Sequence, residues 1–322
     1  MNRRTLVKVL SAACAVAFSV QLTHAATSSS DMSKAMAALK SHNYQAALNM
    51  LKPLAESGSA DAQYHLGIMY ADGEGTKADA ATAAKWFTKA ASQGHEHAQY
   101  NLAVMQAEGE GMPANPSAAA KTFEALAQKD HPDAMFNLGM LYLDGHGVKQ
   151  NDELAAKYFE QAAAKGNPGA KYNLALMHLD GAGVEKDAQK AATMLKELSN
   201  SGYEDAQYNL AVLYLQGEGT AKDPQKAFEW FQKAAEKGHT EAQYNLGMMY
   251  LNGEGTTKST SDAAKWLQKA AGAGYCNAQF NLGQLYAKGE GVPQDKKRAM
   301  DLFHAAAKQG DKQATLAIKN MR

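Results

Sequence analysis

Ala242-Gln243-Tyr244-Asn245-Leu246-Gly247-Met248-Met249-Tyr250-Leu251-Asn252-Gly253-Glu254-Gly255 sets Leu246 and Tyr250 four positions apart, puts a small residue beside the leucine and closes on a Gly-x-Gly pair. Four-residue spacing brings the leucine and tyrosine to one face of a helix, and the small residue admits a neighbouring helix at short range. Glycine is the residue that most readily takes the left-handed conformation that stops a helix. The phrase recurs. Its opening alanine stands at Ala62, Ala98, Ala134, Ala170, Ala206, Ala242 and Ala278, always 36 residues apart, with a faded copy from Ala314. By length alone, 322 residues would suggest about two domains. Seven in-phase copies without an insertion replace that expectation with one array.

Working outward from the phrase, each unit divides into two helices. Four residues past the second glycine of each pair comes a residue suited to cap the next helix: Asp79, Asn115, Asn151, Asp187, Asp223, Ser259 or Asp295. Pro116 and Pro224 follow at the first helical position. The second helix then repeats an apolar stripe, as in Ala83/Phe87/Ala90, Ala155/Phe159/Ala162 and Ala227/Phe231/Ala234. One hairpin cannot bury both faces of two short helices, so each unit must stack on its neighbours, and the expected fold is an all-α solenoid of seven 36-residue helix-turn-helix repeats with terminal caps. Its parts are capping helices over 26–57, repeats over 58–310 and a C-terminal capping helix over 311–322. At the far end Lys319 takes the small-residue slot and Arg322 the tyrosine slot, which suits a face that no further unit covers.

Residues 1–25 read differently. Arg3, Arg4 and Lys8 precede or interrupt an apolar stretch from Leu6 to Val20, and Thr23-His24-Ala25 supplies small residues for cleavage after Ala25, the form of a secretory signal. The expected location is periplasmic or secreted, by either a general or a twin-arginine export route, with no stable membrane insertion once the leader is gone. The remaining chain carries 30 Lys and Arg against 33 Asp and Glu, a net charge of −3. A surface that neutralises nucleic acid would be strongly basic, so no nucleic-acid partner is expected. Of the two cysteines, Cys14 falls within the leader and Cys276 is left without a mate, so no internal disulfide framework is possible in the mature chain.

The stretch 242–255, followed by Asp262-Ala263-Ala264-Lys265-Trp266-Leu267-Gln268-Lys269-Ala270-Ala271-Gly272-Ala273-Gly274, resembles the Sel-one-like repeat, the α/α branch of the tetratricopeptide superfamily, and the resemblance covers roughly residues 30–322. It implies a right-handed α/α superhelical solenoid. It also implies an adaptor for proteins or peptides, in bacteria often exported, although a fold does not by itself fix a function. One exported branch of that family is cysteine-rich, carries a disulfide in each repeat and is linked to β-lactam binding and hydrolysis. Cys276 alone cannot reproduce that pattern.

An enzyme would need a constellation of reactive groups. The chain contains no Ser-x-x-Lys, no Gly-x-Ser-x-Gly and no His-Glu-x-x-His. Seven Gly-x-Gly pairs at the same helix end are punctuation, not a nucleotide cradle. His95, His131 and His239 fall at one equivalent turn of three repeats, and equivalent sites in successive units lie further apart than the roughly 8–10 Å between packed helices. Metal ligands must converge within about 2.1 Å of one ion, so these histidines form a row and no metal site. No catalytic residue and no cofactor is expected. The alternative from another class is an envelope hydrolase of a β-lactam or peptidoglycan-like substrate.

The binding reading rests on a second row. Immediately before the repeat leucine stand His65, Asn101, Asn137, Asn173, Asn209, Asn245 and Asn281. Asparagine is a mediocre helix former, so local propensity does not ask for it. Two readings stand, and they are compatible. The amides tie one helix to the next, or they face the concave groove, as the matching position does in tetratricopeptide domains, and bond the main chain of an extended peptide. Aromatic residues precede the row, Tyr172 and Tyr208 among them, and acidic residues flank it, including Asp133 four before Asn137 and Asp144 seven after it. A groove lined in this way is acidic, which suits a basic or neutral extended partner. Trp86, Tyr158, Trp230 and Trp266 on the second helices offer another patch, or pack between repeats. The expectation is a monomeric, exported, non-enzymatic scaffold that binds a protein or peptide.

Overall fold

The computed structural model describes the backbone of residues 25–321 and the side chains from Ser29 onward. The expected leader lies outside the described residues except for Ala25. The described residues divide into two compact units, one up to Ala170 and one from Lys171 onward.

Every described element is a helix. The first unit holds α1 (Ala25–Lys40), α2 (Tyr44–Glu56), α3 (Ala60–Asp72), α4 (Ala80–Ser92), α5 (Glu96–Glu108), α6 (Pro116–Ala127), α7 (Pro132–Asp144) and α8 (Asp152–Ala164). Helix α9 (Pro168–Asp180) begins there and runs on into the second unit. The second unit continues with α10 (Ala188–Asn200), α11 (Glu204–Gln216), α12 (Pro224–Glu236), α13 (Thr240–Asn252), α14 (Thr260–Gly272), α15 (Cys276–Lys288), α16 (Lys296–Lys308) and α17 (Lys312–Asn320). Within each unit successive helices pack in pairs, α3 on α4 and α4 on α5 in the first, α11 on α12 and α12 on α13 in the second. This is the expected solenoid of helix pairs, seven repeats long. The described part of the N-terminal capping helix α1 runs from Ala25, the first described residue, through the alanine- and serine-rich run before Met32.

The predicted caps stand where the sequence puts them. Asp79, Asn115, Asn151, Asp187, Asp223, Ser259 and Asp295 each accept the backbone N–H three residues on. The apolar stripe of the second helix is core: Phe87, Phe123, Phe159, Phe231 and Phe303 are at most 2% exposed. Beside the repeat leucine, a Cβ on Gly67 would fall 2.6 Å from the ring of Phe87, and one on Gly283 2.7 Å from that of Phe303. The small residue thus lets the two helices of one repeat close on each other. No described helix is long and apolar enough to cross a membrane.

The two glycines of each pair do different work. The first, for example Gly217 at φ +75°, ends its helix in the left-handed conformation. The second reaches into the preceding repeat: a Cβ on Gly219 would lie 2.0 Å from the carbonyl oxygen of Ala188 at the start of α10, and one on Gly111 2.3 Å from that of Ala80 at the start of α4. The period reveals that both glycines recur. Only the packed structure shows that the second is a contact between repeats.

Candidate functional site

The first helix of each repeat carries the ladder. Asn137 on α7 is fully buried and donates from Nδ2 to the hydroxyl of Tyr100 on α5 at 2.9 Å. Asn209 on α11 does the same to Tyr172 at 2.7 Å and also donates to the carbonyl of Asp205 at 3.0 Å. Asn245 reaches Tyr208 at 3.5 Å. Asn101 and Asn281 stand near the hydroxyls of Tyr64 and Tyr244, and Asn281 donates to the carbonyl of Asn277 at 2.9 Å. Asn173 is half-buried on α9 and engaged in an interaction of its own. The residues Tyr(n) and Asn(n+37) are therefore one device, a hydroxyl–amide tie between consecutive first helices, although along the sequence they form two separate rows. Burial pushes the hydroxyls of Tyr100 and Tyr172 well above the usual tyrosine range, so they stay protonated.

Of the predicted acidic residues, Asp133 is half-buried and accepts from Asn167 Nδ2 at 2.8 Å, whereas Asp144 is exposed at the last position of α7. Tyr172 and Tyr208 are partly buried against the core, so each presents only part of its ring. Trp86, Trp230 and Trp266 likewise pack on the core, and the ammonium groups of Lys89, Lys233 and Lys269 lie 3.8–4.0 Å over their rings.

Two features escape a reading of the sequence. A buried glutamine row, Gln63, Gln207, Gln243 and Gln279, donates to the carbonyl eight residues earlier, at the end of the preceding second helix, at distances of 3.0 to 3.4 Å. Its signal is a glutamine beside the repeat alanine in five of seven copies, in a position that amphipathicity alone would assign to an apolar residue. The histidine row is a set of helix caps: Nδ1 of His95, His131 and His239 accepts the N–H of Ala98, Ala134 and Ala242. Each of these rings stacks on a ladder tyrosine, Tyr64, Tyr100 and Tyr208, at centroid distances of 4.5, 5.0 and 4.7 Å. Among the described residues no group of His, Cys, Asp and Glu is arranged to hold a metal ion.

Two buried histidines, the cap His131 and the ladder residue His65, make stability depend on pH. A ring nitrogen that accepts a backbone N–H must be unprotonated, and burial lowers the pKa of His131 and takes that of His65 down to about 4. The folded chain favours neutral rings, while the unfolded chain titrates near 6.5. The contribution is therefore complete above about pH 6.5 and is lost as pH falls toward 4. The carboxyl of Asp61, held below the usual carboxylate range by its hydrogen bond with His95, gives up its own contribution only at more acidic pH, as it becomes protonated. Thermal melts should fall by several degrees between pH 7 and pH 4.5, and His65→Asn, which restores the ladder residue, should flatten part of that fall. A melt that is constant across this window would contradict the assignment.

Stacked helix pairs tied by side-chain amides define an α/α repeat protein. A model of the Sel1 repeat matches seven consecutive segments, 60–95, 96–131, 132–167, 168–203, 204–239, 240–275 and 276–311, and the chain belongs to the Sel1 repeat family. Proteins of this family are generally protein-interaction scaffolds and typically not enzymes. Among solved structures, a Sel1 repeat protein from Oxalobacter formigenes is similar at 31% identity with a TM-score of 0.76, over 93% of this chain and 88% of that one. A protective antigen with the same fold from uropathogenic Escherichia coli is 28% identical with a TM-score of 0.64, over 84% of this chain and 66% of that longer one. No curated protein matches significantly.

Proposed function

We propose that this chain is an exported, monomeric scaffold of the bacterial cell envelope that holds an extended protein or peptide along the face formed by its first helices. The observation that carries the reading is the composition of that face. Partly exposed asparagines and tyrosines are fixed in a row by their mutual hydrogen bonds, and Asp205 and Glu241 stand exposed beside them. Aromatic and amide groups held in place in advance lose little entropy on binding, and the acidic border selects a basic or neutral partner and speeds its arrival. The leader read at 1–25 supports the location.

Two measurements test this. N-terminal sequencing of the envelope fraction should return a chain that starts at Ala26, and an intact Met1 in the cytoplasm would remove the location. Crosslinking in the envelope, followed by mass spectrometry, should capture a partner. Reversing Asp144, Asp205 and Glu241 to Lys should reduce that capture about tenfold, more at low salt than at high, because the loss lies mainly in the association rate. Capture that is indifferent to all three changes would remove this face from the binding site.

A further inference from the structure

An open pocket of about 250 Å³ lies on the first-helix face of the first unit, lined chiefly by Tyr64, His97, Tyr100, Asn101, His131 and Asp133. Small-molecule and cofactor sites run to about 300–1,000 Å³, so a cavity of this size suits a single large side chain. Its walls are fixed. Tyr64 stacks on His95 and lies by the amide of Asn101, and Tyr100 stacks on His131 and bonds Asn137. His97 is exposed between them, with its ring centroid 5.8 Å from that of Tyr64 and 6.1 Å from that of His131.

The chemistry of the lining is one-sided. It holds ring surfaces, an amide and the Asp133 carboxylate, and neither lysine nor arginine lines it. Asn167 engages Oδ1 of that carboxylate at 2.8 Å, which keeps Oδ2 for a second donor. The neighbouring acids are engaged elsewhere, Glu96 with Lys129 at 2.8 Å and Asp61 with His95 at 3.4 Å. At the corresponding place in the second unit, Asp205 and Glu241 both lie against His239, at 3.6 and 3.5 Å. A flat, positive, donor-rich group fits such a slot: it can lie against aromatic rings while its N–H groups reach the carboxylate. Guanidinium meets this description better than ammonium, which is a compact and strongly hydrated point charge.

We propose that the Tyr64–His97–Asp133 pocket anchors one arginine side chain of the extended partner. The proposal rests on the scaffold reading above and names the chemistry of one position within it. Asn101 and Asn137 act as positioning residues, because their amides hold the two tyrosines that form the walls.

The test uses the full mature chain and the peptide acetyl-Gly-Ser-Arg-Ser-Gly-amide, with matched peptides carrying Lys, Gln or Glu at the centre. Histidine and tyrosine ring signals are followed by carbon–proton NMR during titration. The arginine peptide should shift His97, His131 and Tyr64 saturably, the lysine peptide should bind roughly threefold or more weakly, and the glutamine and glutamate peptides should leave the signals in place. Asp133→Asn should weaken the arginine peptide about tenfold with the melt unchanged, since its amide oxygen can still accept from Asn167. His97→Ala, at an exposed position, should weaken it severalfold and leave the melt in place. Equal responses to arginine and glutamine, preference for glutamate, or indifference to both substitutions would overturn the anchor. Should crosslinking capture a partner while the arginine peptide moves nothing, the anchor fails and the scaffold stands; should the peptide bind through Asp133 while crosslinking captures nothing, the anchor stands and the scaffold reading fails.

Discussion

Gly219→Ala is expected to lower the melting temperature of the chain by about 5–15 °C, the equivalent of roughly 2–5 kcal/mol. Two costs add. At φ +67° an alanine pays about 1–2 kcal/mol for the left-handed conformation, and its Cβ, 2.0 Å from the Ala188 carbonyl oxygen, forces apart two repeats whose contact there is backbone on backbone, for about 1–3 kcal/mol more. Two controls separate these terms. Gly166 has φ +91° and nothing within 4 Å of the place a methyl group would take, so Gly166→Ala should show the conformational cost alone. Gly272, at the end of α14, likewise has nothing within 4 Å and carries no positive φ, so Gly272→Ala should stabilise by up to about 1 kcal/mol. Thermal melts by circular dichroism decide the order. If Gly219→Ala melts no earlier than Gly166→Ala, the second glycine is a helix stop and no more.

Removal of residues 62–97, one full period, should leave a folded and only slightly less stable array, whereas removal of 62–79, half a period, should abolish much of the helical signal and the cooperative melt. The full-period deletion joins Asp61 to Ala98, which restores the Asp–Ala step of the native repeat and keeps the later repeats in phase, so that every ladder asparagine beyond Asn101 retains its neighbour. The half-period deletion places the stripe of a second helix against positions built for a first, so Phe87 no longer faces Gly67-type space and the ladder loses its register. Since each repeat contacts only its neighbours, stability is close to a sum of units and interfaces, and the loss of one matched unit is tolerated. Equal damage from the two deletions would contradict a modular array.

Much of the candidate site can be read from the sequence, in one dimension. The asparagine row is visible because its residue type is out of place in a helix, and the tyrosines because they recur one position earlier. Their pairing is not visible. The partner of Asn137 is Tyr100, in the previous repeat and 37 positions away, and no local propensity encodes a bond between two helices. The histidines form a row, as their spacing implies, yet their role as helix caps depends on the direction of a ring nitrogen, which only the backbone around Ala98, Ala134 and Ala242 defines. The glutamine row escapes notice because a buried polar residue looks like an error in an amphipathic pattern until its acceptor is known, here the carbonyl of Ala55 for Gln63.

By itself the sequence determined the class of fold, the number and phase of the repeats, the helix ends and the apolar stripe, because each of these is set by interactions within about one helical turn or by strict periodicity. Tertiary structure alone decided which side chains meet between repeats. It turned the second glycine into a backbone contact, joined tyrosine to asparagine, and brought Tyr64, His97 and Asp133, from three successive repeats, around one pocket. The physical reason is that these contacts depend on the rotation and rise from one repeat to the next, which are set by the packing of whole helices and by no single stretch of the chain.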